Sequence, residues 1–165
     1  MIISTDFQTP PTVCEYMANM IPDCTSGWWN ILEPTPGIGN LVSAANKKGL
    51  VTAPAGDFWD FLEQSKACDL FFDYVIMNPP FTPMVEGVRY LEACMELSDN
   101  IIALLPWFII INSDSRTKKL MDYGLVSITH LPRKSFPSSR IQCCILHLQK
   151  GYACSTLFHT FTFDK

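Results

Sequence analysis

The sequence has little charge and no long apolar run, and each shortage excludes a class of protein. Only 17% of the 165 residues are charged and 48% are hydrophobic, which excludes a disordered or low-complexity chain. Twelve Lys and Arg against sixteen Asp and Glu give a net charge of −4, so the chain does not coat DNA by bulk charge. The most apolar stretch, 101–111, is roughly half a membrane span and contains Pro106. We therefore expect no membrane association.

Disulfide, metal and targeting signatures are also missing. The seven cysteines are odd in number, form no Cys-x-x-Cys pair, and share no metal-ligand spacing with the three histidines. The N-terminus lacks the basic flank and apolar run of a signal peptide. These features predict small buried thiols in a reducing compartment, no bound metal and a cytoplasmic location.

Apolar runs alternate with helical periodicities along the chain, and no repeat or linker interrupts them. We therefore interpret 1–165 as a single domain, a usual size for one. The predicted strands are 28–32, 50–53, 72–77, 101–105, 126–131, 141–148 and 156–163. Strand, turn, helix and strand in this order predict an open, doubly wound α/β sheet of the Rossmann-like type, whose ligands bind at the carboxyl ends of the strands.

Two residues are predicted to cap helices. Thr9 precedes Pro10 and Pro11, which is the pattern of a hydroxyl N-cap followed by prolines in the first turn. Gly49 follows a helical pattern over 41–48 and is predicted to cap its C-terminus.

The first conspicuous turn, 33–40, follows a predicted strand and opens a helix. Gly37 and Gly39 permit the backbone to approach a ligand because no Cβ intervenes. The Glu33 carboxylate would repel a phosphate and suits a cationic or hydroxyl-bearing ligand. A tight strand-to-helix turn without a ligand is the alternative interpretation.

The second turn, Asn78-Pro79-Pro80-Phe81, also follows a predicted strand. Two prolines fix an extended backbone whose carbonyl oxygens find no local amide donor. Those acceptors and the flat face of Phe81 would suit an amino group on an aromatic ring. A proline-rich connection in a buried loop is the alternative.

Together these turns resemble the motifs of the S-adenosylmethionine (AdoMet)-dependent amino-methyltransferases, in particular the DNA adenine-N6 branch. The matching segments are Glu33-Pro34-x-x-Gly37-x-Gly39 and 74–81, ending in Asn78-Pro79-Pro80-Phe81. Further matches are 7–10, before the first helix, and Phe136, before the last strand pair. The resemblance spans about 7–150 and implies methyl transfer from AdoMet to the exocyclic N6 of adenine in DNA.

The resemblance also implies cofactor contacts. Thr9 would meet the methionine carboxylate, Asp57 would accept from the adenine amino group, and Phe58 would lie against the adenine ring. The residues implied around the methionine and ribose are Glu33, Pro34, Gly37 and Gly39.

On the target side, the resemblance implies a catalytic tetrad, Asn78, Pro79, Pro80 and Phe81. Asn78 and Pro79 would accept hydrogens from the target amine, and Phe81 would stack on a flipped base. Phe136 would contact that base edge-on.

The sequence departs from the family pattern between Gly49 and Asp73, where a strand and a helix are missing. Asp57 therefore has two possible roles, contact with the cofactor's adenine or with its ribose hydroxyls.

As a second departure from the family pattern, we expect no target-recognition domain. A basic loop around Phe136, with Arg133, Lys134 and Arg140, is predicted to contact phosphates, which position DNA without reading sequence. A second basic cluster, 116–119, is interpreted as a solvated face. We expect weak, low-specificity DNA binding by the chain alone, with target recognition supplied by a protein partner.

The leading hypothesis is thus a minimal DNA adenine-N6 methyltransferase of prokaryotic or phage origin. Two alternatives stay open. One is a non-catalytic AdoMet-fold subunit of a larger methyltransferase or restriction-modification assembly. The other is a methyltransferase acting on RNA adenine or on protein glutamine.

Overall fold

Strands and helices alternate along residues 8–136 and 141–162, the parts of the chain that the computed structural model describes. The helices are α1 (Pro11–Asn19), α2 (Asn40–Ala45), α3 (Phe58–Ala67), α4 (Met84–Cys94), α5 (Phe108–Ile111) and α6 (Asp114–Tyr123). The strands are β1 (Trp29–Leu32), β2 (Gly49–Thr52), β3 (Tyr74–Met77), β4 (Asn100–Pro106), β5 (Leu125–His130), β6 (Cys143–Gln149) and β7 (Leu157–Thr160).

The strands form one sheet in the order β2-β1-β3-β4-β6-β5-β7. The first four strands in this order are mutually parallel, and β6 runs antiparallel between β4 and β5. This arrangement confirms the predicted open α/β sheet. One strand and one helix lie between Gly49 and Asp73, and β2 is the outermost strand on its side, as expected of a sheet shortened there.

Helices cover both faces of the sheet, which explains why β3 and β4 are apolar without alternation. Ile76 and Ile102 pack on one face beneath α1 and α2. Val75 and Met77 point to the other face and pack with residues of α3 to α6. Successive residues of one strand therefore pack into two separate apolar cores. A polar side chain would be buried at both kinds of position, so apolar residues are favoured at each.

Strand order reverses between β1 and β3. These two strands pair in parallel, with Ile31 opposite Tyr74 and Leu32 opposite Val75. The chain leaves β1 outward towards β2, then returns to β3 on the other side. Such a reversal opens a crevice at the carboxyl ends of the strands, where doubly wound sheets bind their ligands.

Both predicted helix caps are wrong. Helix α1 begins after Pro10 with no side-chain cap, because the Thr9 hydroxyl instead accepts a hydrogen bond from the Asn78 amide at 2.8 Å. Gly49 is the first residue of β2. A Cβ on Gly49 would lie 2.1 Å from the main-chain oxygen of Trp29, so a glycine is needed for β1 and β2 to pair.

The described residues hold no helix long and apolar enough to cross a membrane. Over the same ranges, 8–136 and 141–162, no group of three His, Cys, Asp or Glu side chains could hold a metal ion. The longest helix there, α4, has 11 residues.

The close approach at Gly49 generates a stability prediction. We expect Gly49→Ala to lower the free energy of unfolding by about 3 kcal/mol, because the new methyl group meets rigid backbone. Gly56→Ala is the matched control: no atom lies within 4 Å of its Cβ position, and the change should stay within about 0.5 kcal/mol. Urea denaturation of both variants measures the difference, and equal stabilities would contradict this explanation of Gly49.

Candidate functional site

A large cavity of about 860 Å³ opens where the three parallel strands β1, β2 and β3 end. Its walls are three loops, 34–37, 54–58 and 78–82, together with Gln8 and Tyr90. A smaller recess of about 50 Å³ lies against the loop after β1 and is lined mainly by polar residues. The loops that the sequence singles out thus meet around one cavity.

The loop after β1 reaches α2 through two left-handed residues. Gly37 has φ 54° and Gly39 has φ 89°, a region that favours glycine. The Gly39 amide donates to the Pro36 oxygen at 2.7 Å, and the Ile38 amide donates to Gln8 Oε1 at 3.2 Å. Gly37 lines both the large cavity and the recess. Gly39 is the N-cap of α2 and is not among the described residues that line either one.

Glu33 is a buried carboxyl group, with only 1% of its surface exposed. Its Oε1 accepts two hydrogen bonds from Thr35, from the amide at 2.8 Å and from the hydroxyl at 3.1 Å. Burial raises the pKa of Glu33 to about 8, although both Thr35 bonds act to lower it. Without a cation beside it, the carboxyl group is therefore protonated at neutral pH.

Thiols on two helices are sensitive to the charge of Glu33. Burial, with a smaller contribution from the Glu33 charge, raises the pKa of Cys14 on α1 to about 12. Burial also raises the pKa of Cys94 on α4, again with a contribution from Glu33. Both thiols stay neutral near pH 7, so neither adds a negative charge near Glu33.

Hydrogen bonds join the two motif loops and the segment before α1. The Asn78 side-chain amide donates to the Thr9 hydroxyl at 2.8 Å, and the Asn40 amide donates to the Thr9 main-chain oxygen at 2.9 Å. The Thr35 hydroxyl lies 3.2 Å from the main-chain oxygen of Asn78. Thr9 is 4% exposed and lines the small recess. The structure thus brings Thr9, Glu33 and Asn78 together around the small recess.

Asp57 and Phe58 form the wall that follows β2. Asp57 is the N-cap of α3, and its Oδ1 accepts from the amides of Trp59 and Asp60 at 2.8 and 3.2 Å. Phe58 is 3% exposed and stacks on Tyr90 with ring centroids 4.9 Å apart. Both residues, and Tyr90, line the large cavity. A planar ring bound there would meet aromatic side chains.

The catalytic tetrad suggested by the sequence lines the opposite wall, since Asn78, Pro79, Pro80 and Phe81 all border the large cavity. Phe81 is partly buried and packs against the cores on both faces of the sheet.

The predicted substrate-binding loop is only partly brought to this wall. Phe136 packs on the same core that Phe81 contacts beneath α1 and α2. Arg133 and Lys134 are exposed on a 3-10 turn, Arg133–Ser135. None of these three is among the described residues lining the cavity, and Arg140 lies outside the described residues.

The second basic cluster is engaged within the protein. Lys118 pairs with Asp122 at 2.7 Å, Lys119 pairs with Glu92 at 2.7 Å, and Arg116 donates to the Ile109 oxygen. These partners fit the interpretation of this cluster as a solvated face.

Several residues that line the cavities have no role in the sequence-based interpretation. They include Gln8, Thr35, Asn40 and Tyr90. Thr35 and Asn40 lie inside the glycine-rich turn, so their polarity was an available signal. Tyr90 reaches the cavity from α4, and no local pattern identifies it.

The buried carboxyl group generates a pH prediction for the protein without cofactor. Because the pKa of Glu33 is raised from 4.5 to about 8, the folded state keeps a proton that the unfolded chain loses. The free energy of unfolding is therefore highest below pH 4.5, the ordinary pKa of the carboxyl group. It falls as the pH rises from there through about 8, the pKa in the folded state. We expect the free energy of unfolding to fall by an amount on the order of 4–5 kcal/mol over this range.

The Glu33→Gln variant should lack this loss, so it should match the parent protein at acid pH and exceed its stability at pH 8 and above. Urea denaturation at several pH values measures the difference between the two proteins. Parallel stability curves would show that Glu33 does not hold the proton.

No protein-family model matches the sequence, and no curated protein matches it. Solved structures do match. One from Vibrio vulnificus YJ016, assigned as the modification subunit of a type I restriction enzyme, has a TM-score of 0.73 and 14% identity over 96% of this chain and 48% of its own. The type I restriction-modification methyltransferase subunit of Streptococcus thermophilus has a TM-score of 0.72 and 14% identity, with 97% and 49% covered.

A third similar structure, from Listeria monocytogenes, is assigned as a class I S-adenosylmethionine-dependent methyltransferase. Its TM-score is 0.65 at 15% identity, with 95% of this chain and 67% of that chain covered. The chain thus spans about half the length of the two modification subunits. At these identities the likeness establishes the fold, which is the Rossmann-like fold of the S-adenosylmethionine-dependent methyltransferases.

Proposed function

We propose that the protein is an AdoMet-dependent methyltransferase that methylates the exocyclic N6 of adenine in DNA. The observation that carries this proposal is the position of two loops around one cavity. Gly37 and the Asn78-Pro79-Pro80-Phe81 loop border the large cavity, and Glu33 and Asn78 line the small recess. A cofactor and an acceptor amine held by these loops would share one space.

The chemistry of the cavity fits AdoMet. Its volume of about 860 Å³ suits a ligand of that size, and its lining includes the aromatic residues Phe58 and Tyr90, which would contact an adenine ring. Glu33 suits a cation, because a positive charge nearby would offset the cost of ionising a buried carboxyl group. The fold is that of S-adenosylmethionine-dependent methyltransferases. When bound, AdoMet would supply an electrophilic sulfonium methyl group.

The residues of the second loop suit the acceptor. An exocyclic amine on adenine is a weak nucleophile, since its lone pair is delocalised into the ring. The side-chain oxygen of Asn78 and the main-chain oxygen of Pro79 would accept its two hydrogens and localise the lone pair. These acceptors strengthen as the nitrogen becomes positive, so they stabilise the transition state by position and electrostatics. No separate general base is needed for attack.

DNA is the favoured substrate because of the aromatic residues near the tetrad. An adenine inside a duplex must be flipped out before its amine can react, and a ring face such as Phe81 offsets the lost stacking. The exposed Arg133 and Lys134 would contact phosphates. Methylation of RNA adenine or of a protein glutamine uses the same acceptor geometry, and identification of the product separates the three.

A protein partner is part of the proposal. Two similar structures are subunits of type I restriction systems, and this chain spans about half of each. We propose that a partner supplies target recognition. The same observation favours a second candidate, a non-catalytic subunit that uses the AdoMet fold as a scaffold. That candidate requires AdoMet binding without turnover on any substrate.

The tetrad generates a test of the chemical step. We expect Asn78→Ala to lower the single-turnover rate of methylation by roughly 100- to 1000-fold, by analogy with the loss of one oxyanion-hole donor. AdoMet affinity should stay nearly unchanged, because the lost oxygen contacts the amine. Rates are measured with an adenine-containing oligonucleotide and affinity by calorimetry.

Asn30→Ala is the control, since Asn30 is an exposed residue of β1 that lines neither the cavity nor the recess. It should change neither the rate nor the affinity. Turnover by Asn78→Ala at the rate of the parent protein would refute the assignment of Asn78.

A further inference from the structure

The Thr35 hydroxyl lies between the two motif loops. It is 3.1 Å from Glu33 Oε1 and 3.2 Å from the main-chain oxygen of Asn78. The backbone of Thr35 is fixed independently, because its amide also donates to Glu33 Oε1 at 2.8 Å. One side chain therefore contacts both the cofactor side and the target side of the proposed site.

A hydroxyl group has one hydrogen to donate, so its two neighbouring oxygens compete for it. An ionised carboxylate is the stronger acceptor, because charge-assisted hydrogen bonds are roughly twice as strong as neutral ones. A protonated Glu33 loses that advantage, and the Asn78 oxygen can then take the hydrogen. The protonation state of Glu33 thus decides which loop the Thr35 hydroxyl holds.

The Asn78 oxygen belongs to the peptide bond between Asn78 and Pro79. Prolines 79 and 80 carry no amide hydrogen, so neighbouring backbone in this loop offers few local donors. A hydrogen bond to this oxygen fixes the plane of the Asn78–Pro79 peptide. That plane sets the positions of the Asn78 side chain and the Pro79 carbonyl group, the two proposed acceptors for the target amine.

We propose that Thr35 is a positioning residue that couples cofactor binding to the target loop. Without cofactor, its hydroxyl hydrogen holds the Asn78 oxygen. When a cationic cofactor binds beside Glu33, the carboxyl proton leaves to solvent and the Thr35 hydrogen turns to the carboxylate. The Asn78 oxygen then loses the Thr35 hydrogen bond, and the Asn78–Pro79 peptide aligns with the amine. This inference rests on the proposed function and adds an order of events to it.

The sequence offers a selective probe of this switch. Asn78–Pro79 is the only Asn–Pro step in the chain. Protein labelled with carbonyl-¹³C asparagine and ¹⁵N proline therefore gives a single one-bond carbonyl–nitrogen signal, which reports the hydrogen bonding of the Asn78 oxygen. We expect saturation with AdoMet to move this carbonyl resonance to lower frequency, as a carbonyl group does when it loses a hydrogen bond.

Two substitutions separate coupling from simple packing. Thr35→Val keeps the shape and removes the hydroxyl, so its resonance should start at the released position and not move when AdoMet binds. Thr35→Ser keeps the hydroxyl and should respond like the parent protein. Thermal melts confirm that both variants fold.

The outcomes are distinct. A resonance that stays in place while AdoMet binds to the parent protein overturns this inference alone, as does a Thr35→Val resonance that moves like the parent's. If Thr35→Val does not fold, an unchanged Thr35→Ser response supports the inference and a lost response overturns it. Failure of the parent protein to bind AdoMet overturns both this inference and the proposed function.

Discussion

The parallel pairing of β1 with β3 is the contact on which the site depends. Ile31 lies opposite Tyr74 and Leu32 opposite Val75, so the loops that follow these strands emerge side by side. The pairing is stabilised by apolar residues that are buried on both faces of the sheet. Glu33 and Asn78 come from loops 45 positions apart in sequence, yet Thr35 contacts both. A rigid sheet thus positions polar groups that local structure alone could not hold.

Burial of Glu33 gives this site a cost in stability. Burial disfavours the charged form of the Glu33 carboxyl group. Retaining an acid where an apolar residue would stabilise the fold is typical of functional sites. The raised pKa also means that a cationic ligand and a proton compete at the same carboxyl group. Ligand binding and charge in the recess are therefore linked, and Thr35 is placed to transmit that link.

Much of the fold could be predicted from the sequence because it depends on local patterns. Continuous apolar runs marked β3 and β4, and glycine and proline marked the ends of β1 and β3. The predicted caps failed because long-range contacts took precedence. The Thr9 hydroxyl accepts a hydrogen bond from the side-chain amide of Asn78, 69 positions away, and Gly49 is required by the close approach of the Trp29 backbone. A propensity rule has no access to such partners.

Long-range contacts also limited how much of the site could be predicted from local sequence patterns. The two motif loops were recognisable as short segments, and the structure places them around one cavity. Tyr90 reaches that cavity from the face of a helix, and only packing against Phe58 identifies it. The link made by Thr35 likewise requires the register of β1 with β3. The two motif loops were therefore predictable from the sequence, and the contact that Thr35 makes between them was not.

Identification of the methylated product tests most directly whether the protein methylates the N6 of adenine in DNA. The protein is incubated with methyl-labelled AdoMet and with DNA, RNA or protein in parallel, and each product is digested and identified by mass spectrometry. Gly56→Trp serves as the control, because its indole would enter the cavity at a position with no atom within 4 Å of the Cβ. We expect labelled N6-methyladenine in DNA with the parent protein and none with Gly56→Trp. Label in none of the three substrates, or equal label with Gly56→Trp, would contradict it.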